Sequence, residues 1–343
     1  MWNLSPKRII LYALTLVLLL AILLALGLGL FLLKPAQKIA AREVVLIREG
    51  LSLRQVAQEL ESRDIITSKV LFMLWAKALG YGRIIKAGEY ELGPDMPPLR
   101  IYEKLTRGLV MTHAVTIPEG LTRMQIADIL AEKRLAERQS FLSLTQHPDI
   151  IAKYGIYGQN LEGYLYPDTY QFALSLPPQN LIDVMVRRFL KVVEPYNSAI
   201  DQSGMDLNQV VILASIVEKE TGQADERPLI ASVFLNRLKR GMRLESDPTV
   251  IYGLSDFNGN ITRKDLQTPT PYNTYLIQGL PPGPISNPGL ASIKAVLFPA
   301  ETKYLFFVSK NDGSHHFSRT FSEHRRAVDF YQRKRGKAPP KTS

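Results

Sequence analysis

The chain has 343 residues, 46% hydrophobic and 22% charged, which is enough apolar material for two or three packed domains and too much for a disordered polymer. It contains no cysteine, so disulfide frameworks, thiol nucleophiles and Cys-ligated metal centres are excluded. The net charge of +10 lies at the ends: residues 1–42 hold five Lys or Arg and no acid, residues 325–343 hold seven against Asp329 alone, and the body between is near neutral. A nucleic-acid binder carries its positive charge on the folded body, so no nucleic-acid partner is expected.

After a short N-terminus (1–8), residues Ile9 to Leu33 run without a charge. At ~1.5 Å per residue such a helix crosses a hydrocarbon layer ~30 Å thick, and it is too long for a cleavable signal. An uncleaved anchor over 9–33 is expected, followed by a linker at 34–43. Lys7 and Arg8 precede it and Lys34, Lys38, Arg42 and Arg48 follow it, so flanking charge leaves the orientation open.

Two segments then read alike. Val45-Leu-Ile-Arg-Glu-Gly-Leu-Ser opens the first and Val115-Thr-Ile-Pro-Glu-Gly-Leu-Thr the second. Each is a short β-type run turning at Glu-Gly (Glu49-Gly50, Glu119-Gly120), then a Ser or Thr N-cap (Ser52, Thr122) and an amphipathic helix. The helices would bury Val56, Ala57 and Leu60 in the first copy, and Ile126, Ala127 and Leu130 in the second. Gly80-Tyr-Gly82 reads as a loop and Gly88–Gly93 as a return strand. The pattern resembles LysM modules, small βααβ units that bind N-acetylhexosamine chains; two plain packing units fit it as well, since neither copy shows an aromatic sugar platform.

From Gln159 the composition changes. Residues 160–170 hold Tyr164, Tyr166 and Tyr170 with Glu162 and Asp168. This is poor helix material, and either a strand and loop facing a cleft or a loop using Tyr as core filler. Asp206 with Gln209 then makes a capping box for a helix ending near Gly222, apolar from Val210 to Val217 except Ser215. It ends in Glu218 and Glu220. A carboxylate at the C-terminal end of a buried helix meets the negative end of the dipole and poor solvation, both favouring the protonated state that a general acid needs. The alternative is a pair of ordinary solvated helix-end residues. Two positions are about 200° apart, so only one of them faces any given cleft.

A second helix is expected over Pro228–Arg240. Leu244–Tyr252, 268–275 and the proline-rich 279–289 follow, with Asn287 and Pro288 as N-cap and first residue of a helix running to about Phe298. A hairpin over 304–319 turns at Asn311-Asp-Gly313, and Thr320 with Glu323 caps the last helix.

Several strings together resemble the endolytic murein transglycosylase family (MltG, also called YceG-like): LEGYLYPDTY (161–170), ASIVEKETG (214–222), ASVFLNRLKRGMRLESDPTVIYG (231–253), TPYNTYLIQGLPPGPISNPG (270–289) and YLFFVS with HHFS (304–318). Tyr166 stands where the family often has another aromatic residue. The resemblance implies an α+β chain: one N-terminal transmembrane helix, a LysM-like repeat region over 44–158, a mixed α/β catalytic domain over 159–331 and a basic tail over 332–343. It implies an inner-membrane, single-pass protein whose periplasmic body cuts peptidoglycan strands internally, leaving 1,6-anhydro-N-acetylmuramic acid ends and terminating strand elongation. Peptidoglycan synthases (penicillin-binding proteins) are the implied partners, and no cofactor is expected.

Carried over by position, the catalytic residue is Glu218, acid and then base. Glu162, Asp168, Glu220, Glu245 and Asp247 are candidates for positioning or ion pairs. Tyr166, Tyr252, Tyr272, Asn273, Tyr275 and Asn287 are candidate sugar contacts, and His316 would order the cleft edge or make a structural hydrogen bond. Rival readings are a muramidase using water and a non-catalytic peptidoglycan-binding scaffold. No G-x-S-x-G or S-x-x-K string is present, and the five histidines lack zinc-ligand spacing, so no metal is expected.

Overall fold

A computed structural model describes residues 6–37, 39, 41–78 and 85–334. In chain order its elements are α1 (Pro6–Leu33), β1 (Glu43–Ile47), α2 (Leu53–Ser62), α3 (Lys69–Ala78), β2 (Gly88–Leu92), α4 (Pro98–Arg107), β3 (His113–Thr116) and α5 (Arg123–Glu132). Then come α6 (Arg138–Leu144), α7 (Pro148–Ala152), β4 (Thr169–Phe172), α8 (Pro178–Val193), α9 (Asn197–Ser203), α10 (Leu207–Glu220) and α11 (Arg227–Lys239). The chain continues through α12 (Asp247–Gly253), α13 (Arg263–Leu266), α14 (Leu290–Leu297), β5 (Phe306–Ser309), β6 (His315–Ser318) and α15 (Phe321–Tyr331). Contacts divide it into two compact units: one runs to His113 and adds Ala173–Ser175, and the other takes Ala114–Phe172 and everything from Leu176.

In the first unit α1 leaves its apolar side chains uncovered from Ile9 to Leu26, and only Leu28, Phe31 and Leu32 at its end meet a core. That core joins Val45 and Ile47 of β1, Val56, Ala57 and Leu60 of α2, Phe72 and Trp75 of α3, Tyr90 and Leu92 of β2, and Ile101 and Leu105 of α4. β2 is the expected return strand, antiparallel to β1 with Val45 opposite Tyr90. The Gly80-Tyr-Gly82 loop and the end of the basic tail lie outside the described residues.

In the second unit β3 pairs with β4, and Ile126, Ala127 and Leu130 of α5 are fully buried as the apolar spacing requires. At the centre is α10, started by the Asp206–Gln209 capping box and buried without a break from Val210 to Val217. It packs against α11 and α14. Because helices close around α10 on several sides, even Ser215 is buried; its hydroxyl donates to Ile212 O at 2.7 Å.

One expectation needs correction, and one open alternative is decided. The helix after the proline-rich loop begins at Leu290 with Gly289 as N-cap, not at Asn287. Asn287 is unavailable as a cap because its side chain is spent elsewhere: Oδ1 accepts from Leu165 N–H at 2.8 Å, and Nδ2 donates to Leu121 O at 2.9 Å and Glu162 Oε1 at 2.8 Å. The three tyrosines at 164–170 are all buried, and two of them pack on core aromatic rings. Tyr164 packs edge-to-face on Phe189 and donates to Asn208 Oδ1, and Tyr170 stacks on Phe172.

Candidate active site

Glu218 and Glu220 leave α10 in different directions, as helical rotation demands. The Glu218 side chain is 7% exposed. Its Oε2 accepts from the Gly289 N–H at 3.0 Å and the Ser292 hydroxyl at 2.7 Å, both at the start of α14. Its Oε1 faces a guanidinium nitrogen of Arg227, the first residue of α11, at 3.6 Å. Three packed helices thus converge on one carboxylate. The Arg227 Nε is buried without a hydrogen-bond partner, a donor held beside the site and not spent on the protein.

A second carboxylate stands there that sequence reasoning did not single out. Glu119, in the Glu-Gly turn of the second repeat copy, lies so close to Gly289 that a Cβ at that position would fall inside its carboxylate. The same Gly289 gives its N–H to Glu218, so the two acids flank one residue. Burial and the neighbouring charge of Glu218 push the Glu119 carboxyl above the usual carboxylate range, and Arg227 partly opposes them. Tyr166 borders this group: the Leu290 N–H meets its hydroxyl, and it feels the charge of Glu119.

The turn carrying Glu119 is fastened from both sides. Gly120, at φ +75°, donates its N–H to Asn287 O at 2.9 Å, and the Asn287 N–H donates to Leu121 O at 2.8 Å. Lys219 adds its ammonium to Gly120 O at 3.2 Å.

Behind the turn lies Glu162, 1% exposed. Its Oε1 accepts from Arg123 N–H and Asn287 Nδ2, each at 2.8 Å, and its Oε2 from the Tyr252 hydroxyl at 3.1 Å. Burial outweighs these donors and raises its pKa to about 7. The Tyr252 and Tyr272 rings meet at 4.8 Å. Glu162, Asn287, Tyr252 and Tyr272 therefore form one buried polar cluster linked through Asn287 to the Glu119 turn.

The remaining candidates stand elsewhere. Glu220 accepts from the Ser246 hydroxyl, and burial raises it to about 7. Asp247 accepts from the Tyr275 hydroxyl at 2.7 Å, and Glu245 pairs with Arg237 at 2.9 Å. Asn273 is fully buried with its amide donating to Leu266 O and Thr268 O and its Oδ1 accepting from Tyr275 N–H, so it is spent on its own loop. Asp168 pairs with Arg188 at 2.7 Å. His316 is buried on β6 against Tyr331. Its neighbour His315 is the one tied toward the site, pairing with Glu226 next to Arg227 at 2.6 Å.

Sequence reasoning missed Glu119, Arg227 and Ser292. Glu119 had a signal, its place in a repeated turn, but nothing local distinguished it from Glu49. Among the described residues no cluster of His, Asp and Glu has the arrangement of a metal site.

The family model described as YceG-like matches residues 45–330. A Bacillus subtilis protein named endolytic murein transglycosylase is 35% identical over 323 residues, 88% of this chain and 89% of that protein. A Streptococcus pneumoniae (strain D39) protein of the same name is 30% identical over 314 residues, 82% of this chain but 57% of that longer protein. A crystal structure described as YceG-like, from Listeria monocytogenes, superposes with a TM-score of 0.58 at 34% identity, covering 84% of this chain and 99% of that one.

Proposed function

The chain belongs to the YceG-like family, and from that premise we infer that it is an endolytic murein transglycosylase, a lyase that cuts within peptidoglycan glycan strands. The observation that carries this reading is Glu218: a nearly enclosed carboxylate at the end of a buried helix, held by Gly289 N–H and Ser292 and flanked by Arg227. Glu218 handles the proton exchanged at the bond between muramic acid and glucosamine. It gives one to the glycosidic oxygen and takes one from the muramoyl C6 hydroxyl, which attacks C1 and closes the 1,6-anhydro ring. Because the nucleophile is part of the substrate, no carboxylate or water has to attack from the opposite face as in ordinary glycosidases. Tyr166 and Arg227 flank the sugar; the cluster of Glu162, Tyr252, Tyr272 and Asn287 holds the wall behind it.

The exposed apolar length of α1 supports a single-pass anchor in the inner membrane with the body in the periplasm. The repeat over 44–158 is LysM-like in sequence, the catalytic domain spans 159–331, and peptidoglycan synthases are its partners. That repeat describes sequence kinship; in packing, its second copy belongs to the unit that carries Glu218.

The test is digestion of purified peptidoglycan with the wild-type chain and with Glu218→Gln, with fragment masses read out. Wild type is expected to release fragments whose anhydro ends are one water lighter than reducing ends, and Glu218→Gln to release none. Reducing ends alone would make it a muramidase, and no release by wild type would make it a scaffold.

A further inference from the structure

Glu218 is occupied as an acceptor. Two donors, Gly289 N–H and Ser292 Oγ, converge on Oε2, and Arg227 stands 3.6 Å from Oε1. Oε2 is thus filled, and Oε1, facing a guanidinium, stands where a carboxylate can receive a proton. Glu119 is built the opposite way. It is the exposed member of the two, and among the described residues no hydrogen-bond donor reaches its carboxylate. The pair is close: both flank Gly289, and a Cβ at Gly120 would lie 3.4 Å from Glu218 Cγ.

The chemistry asks for such neighbours. In a β-linked D-pyranose the C5 hydroxymethyl arm and the departing C1 oxygen lie on the same face, so O6 reaches C1 from the side on which the old bond breaks. Acid and base then work on one side of the ring, where one carboxyl can serve in turn or two neighbours can share the task, not across the ring as in glycosidases that use two carboxyls.

We propose that Glu119 is the acid of a two-carboxylate centre: its proton passes to the glycosidic oxygen as the C1–O bond breaks and leaves C1 cationic, and Glu218 then takes the proton of the C6 hydroxyl as the O6–C1 bond forms. The proposal rests on the reading of Glu218 as the reacting carboxylate and moves the first of its two proton transfers to Glu119. The balance closes without water or redox partner: one proton leaves the C6 hydroxyl, one arrives on the departing alcohol, and passage of a proton from Glu218 back to Glu119 restores the resting pair.

The surroundings agree with this division. Burial and the charge of Glu218 hold the proton on Glu119 to higher pH, and Arg227 of α11 limits the effect. The other titratable groups at the pair are Tyr166, from the loop before β4, and Lys219 of α10, whose ammonium is spent on Gly120 O. The free Nε of Arg227 is left to hold a substrate oxygen beside the pair.

The experiment measures fragment release from purified peptidoglycan by the full chain as a function of pH, for wild type, Glu119→Gln, Glu119→Asp and Glu218→Gln, with thermal unfolding of each. Glu119→Gln is expected to lose roughly 100-fold in kcat with KM little changed, the scale of a lost general acid. The alkaline limb of its residual activity moves, because the carboxyl that burial and the charge of Glu218 hold above the usual range no longer titrates. A merely structural Glu119 would lower the rate at every pH and leave that limb in place. Glu119→Gln with wild-type rate and limb, beside an inactive Glu218→Gln, overturns the proposal and leaves the functional reading standing; activity in Glu218→Gln instead overturns the reading of Glu218. If Glu119→Gln loses its unfolding transition, Glu119→Asp decides: it keeps a proton to donate but is the stronger acid, so an alkaline limb displaced to lower pH supports the pair and a limb at the wild-type position overturns it.

Discussion

The turn after β1 and the turn after β3 are built alike. Gly50 and Gly120 take φ +83° and +75°; Ser52 with Gln55 and Thr122 with Gln125 close the same capping box. Ten residues past each glycine, Leu60 and Leu130 are fully buried and accept an N–H five positions on, from Ile65 and Leu135, at 2.9 Å in both. Asp64 and Arg134 even share a φ of 56° past the helix end. Yet a Cβ at Gly50 would meet nothing within 4 Å, while one at Gly120 would touch Glu218 and Lys219. Glu49 stands exposed in a turn without neighbours of consequence; Glu119 stands beside a second carboxylate. One local code serves packing in the first unit and chemistry in the second, so kinship of sequence is no guide to which copy reacts.

The comparison can be broken at the level of the core. Leu60→Ala and Leu130→Ala should each destabilise by about 2–5 kcal/mol, by similar amounts, read as denaturant midpoints. A wide difference between them would mean that the copies are not equivalent inside.

It can be sharpened through Glu162, which receives the first helical N–H of the second copy, from Arg123. Burial raises this carboxyl from 4.5 to about 7, so the unfolded chain gives up the proton first. Its protonation therefore supports the fold fully below about pH 4.5, and that support is lost as the pH rises through about 7, a fall of roughly 3 kcal/mol if nothing relaxes. Glu162→Gln should lack this slope; equal pH dependence of unfolding in both proteins would show that burial does not govern Glu162.

A smaller contrast separates the two turn acids. Where Glu119→Gln loses roughly 100-fold in rate, equivalent to about 2.7 kcal/mol, Glu49→Gln should digest peptidoglycan at the wild-type rate. The smallest concerns the glycines. Gly50→Ala and Gly120→Ala each force an L-residue into the left-handed region at about 1–2 kcal/mol, but only Gly120→Ala should also slow digestion, because the turn it strains carries Glu119. Equal rates would mean that the Glu119 turn tolerates movement.

Much of the fold was legible in the chain. The Asp206–Gln209 and Thr320–Glu323 boxes start α10 and α15, and the apolar run Val210–Val217 marked the helix that everything else covers. Glu218 was legible only as part of a longer string, since spacing alone could not separate it from Glu220. Asn287 misled for a definite reason: before Pro288 it reads as a cap, but its amide is drawn to Leu165, Leu121 and Glu162, more than a hundred positions away in each case. Tyr164 and Tyr170 looked equally fit for a sugar face or a core, and packing on Phe189 and Phe172 put them in the core.

What the sequence determined by itself is whatever closes within a few residues: caps, left-handed glycines, helix faces, the long apolar segment at the start. Each depends on groups three or four positions apart, whose geometry the backbone alone dictates. Tertiary structure decided which Glu-Gly turn faces Glu218, that Gly289 lies between the two acids, and that Arg227 stands opposite. The relations among the Glu119 turn, Glu218 and Gly289 join residues 71 or more positions apart, through helices that meet only because each hides an apolar face against the others.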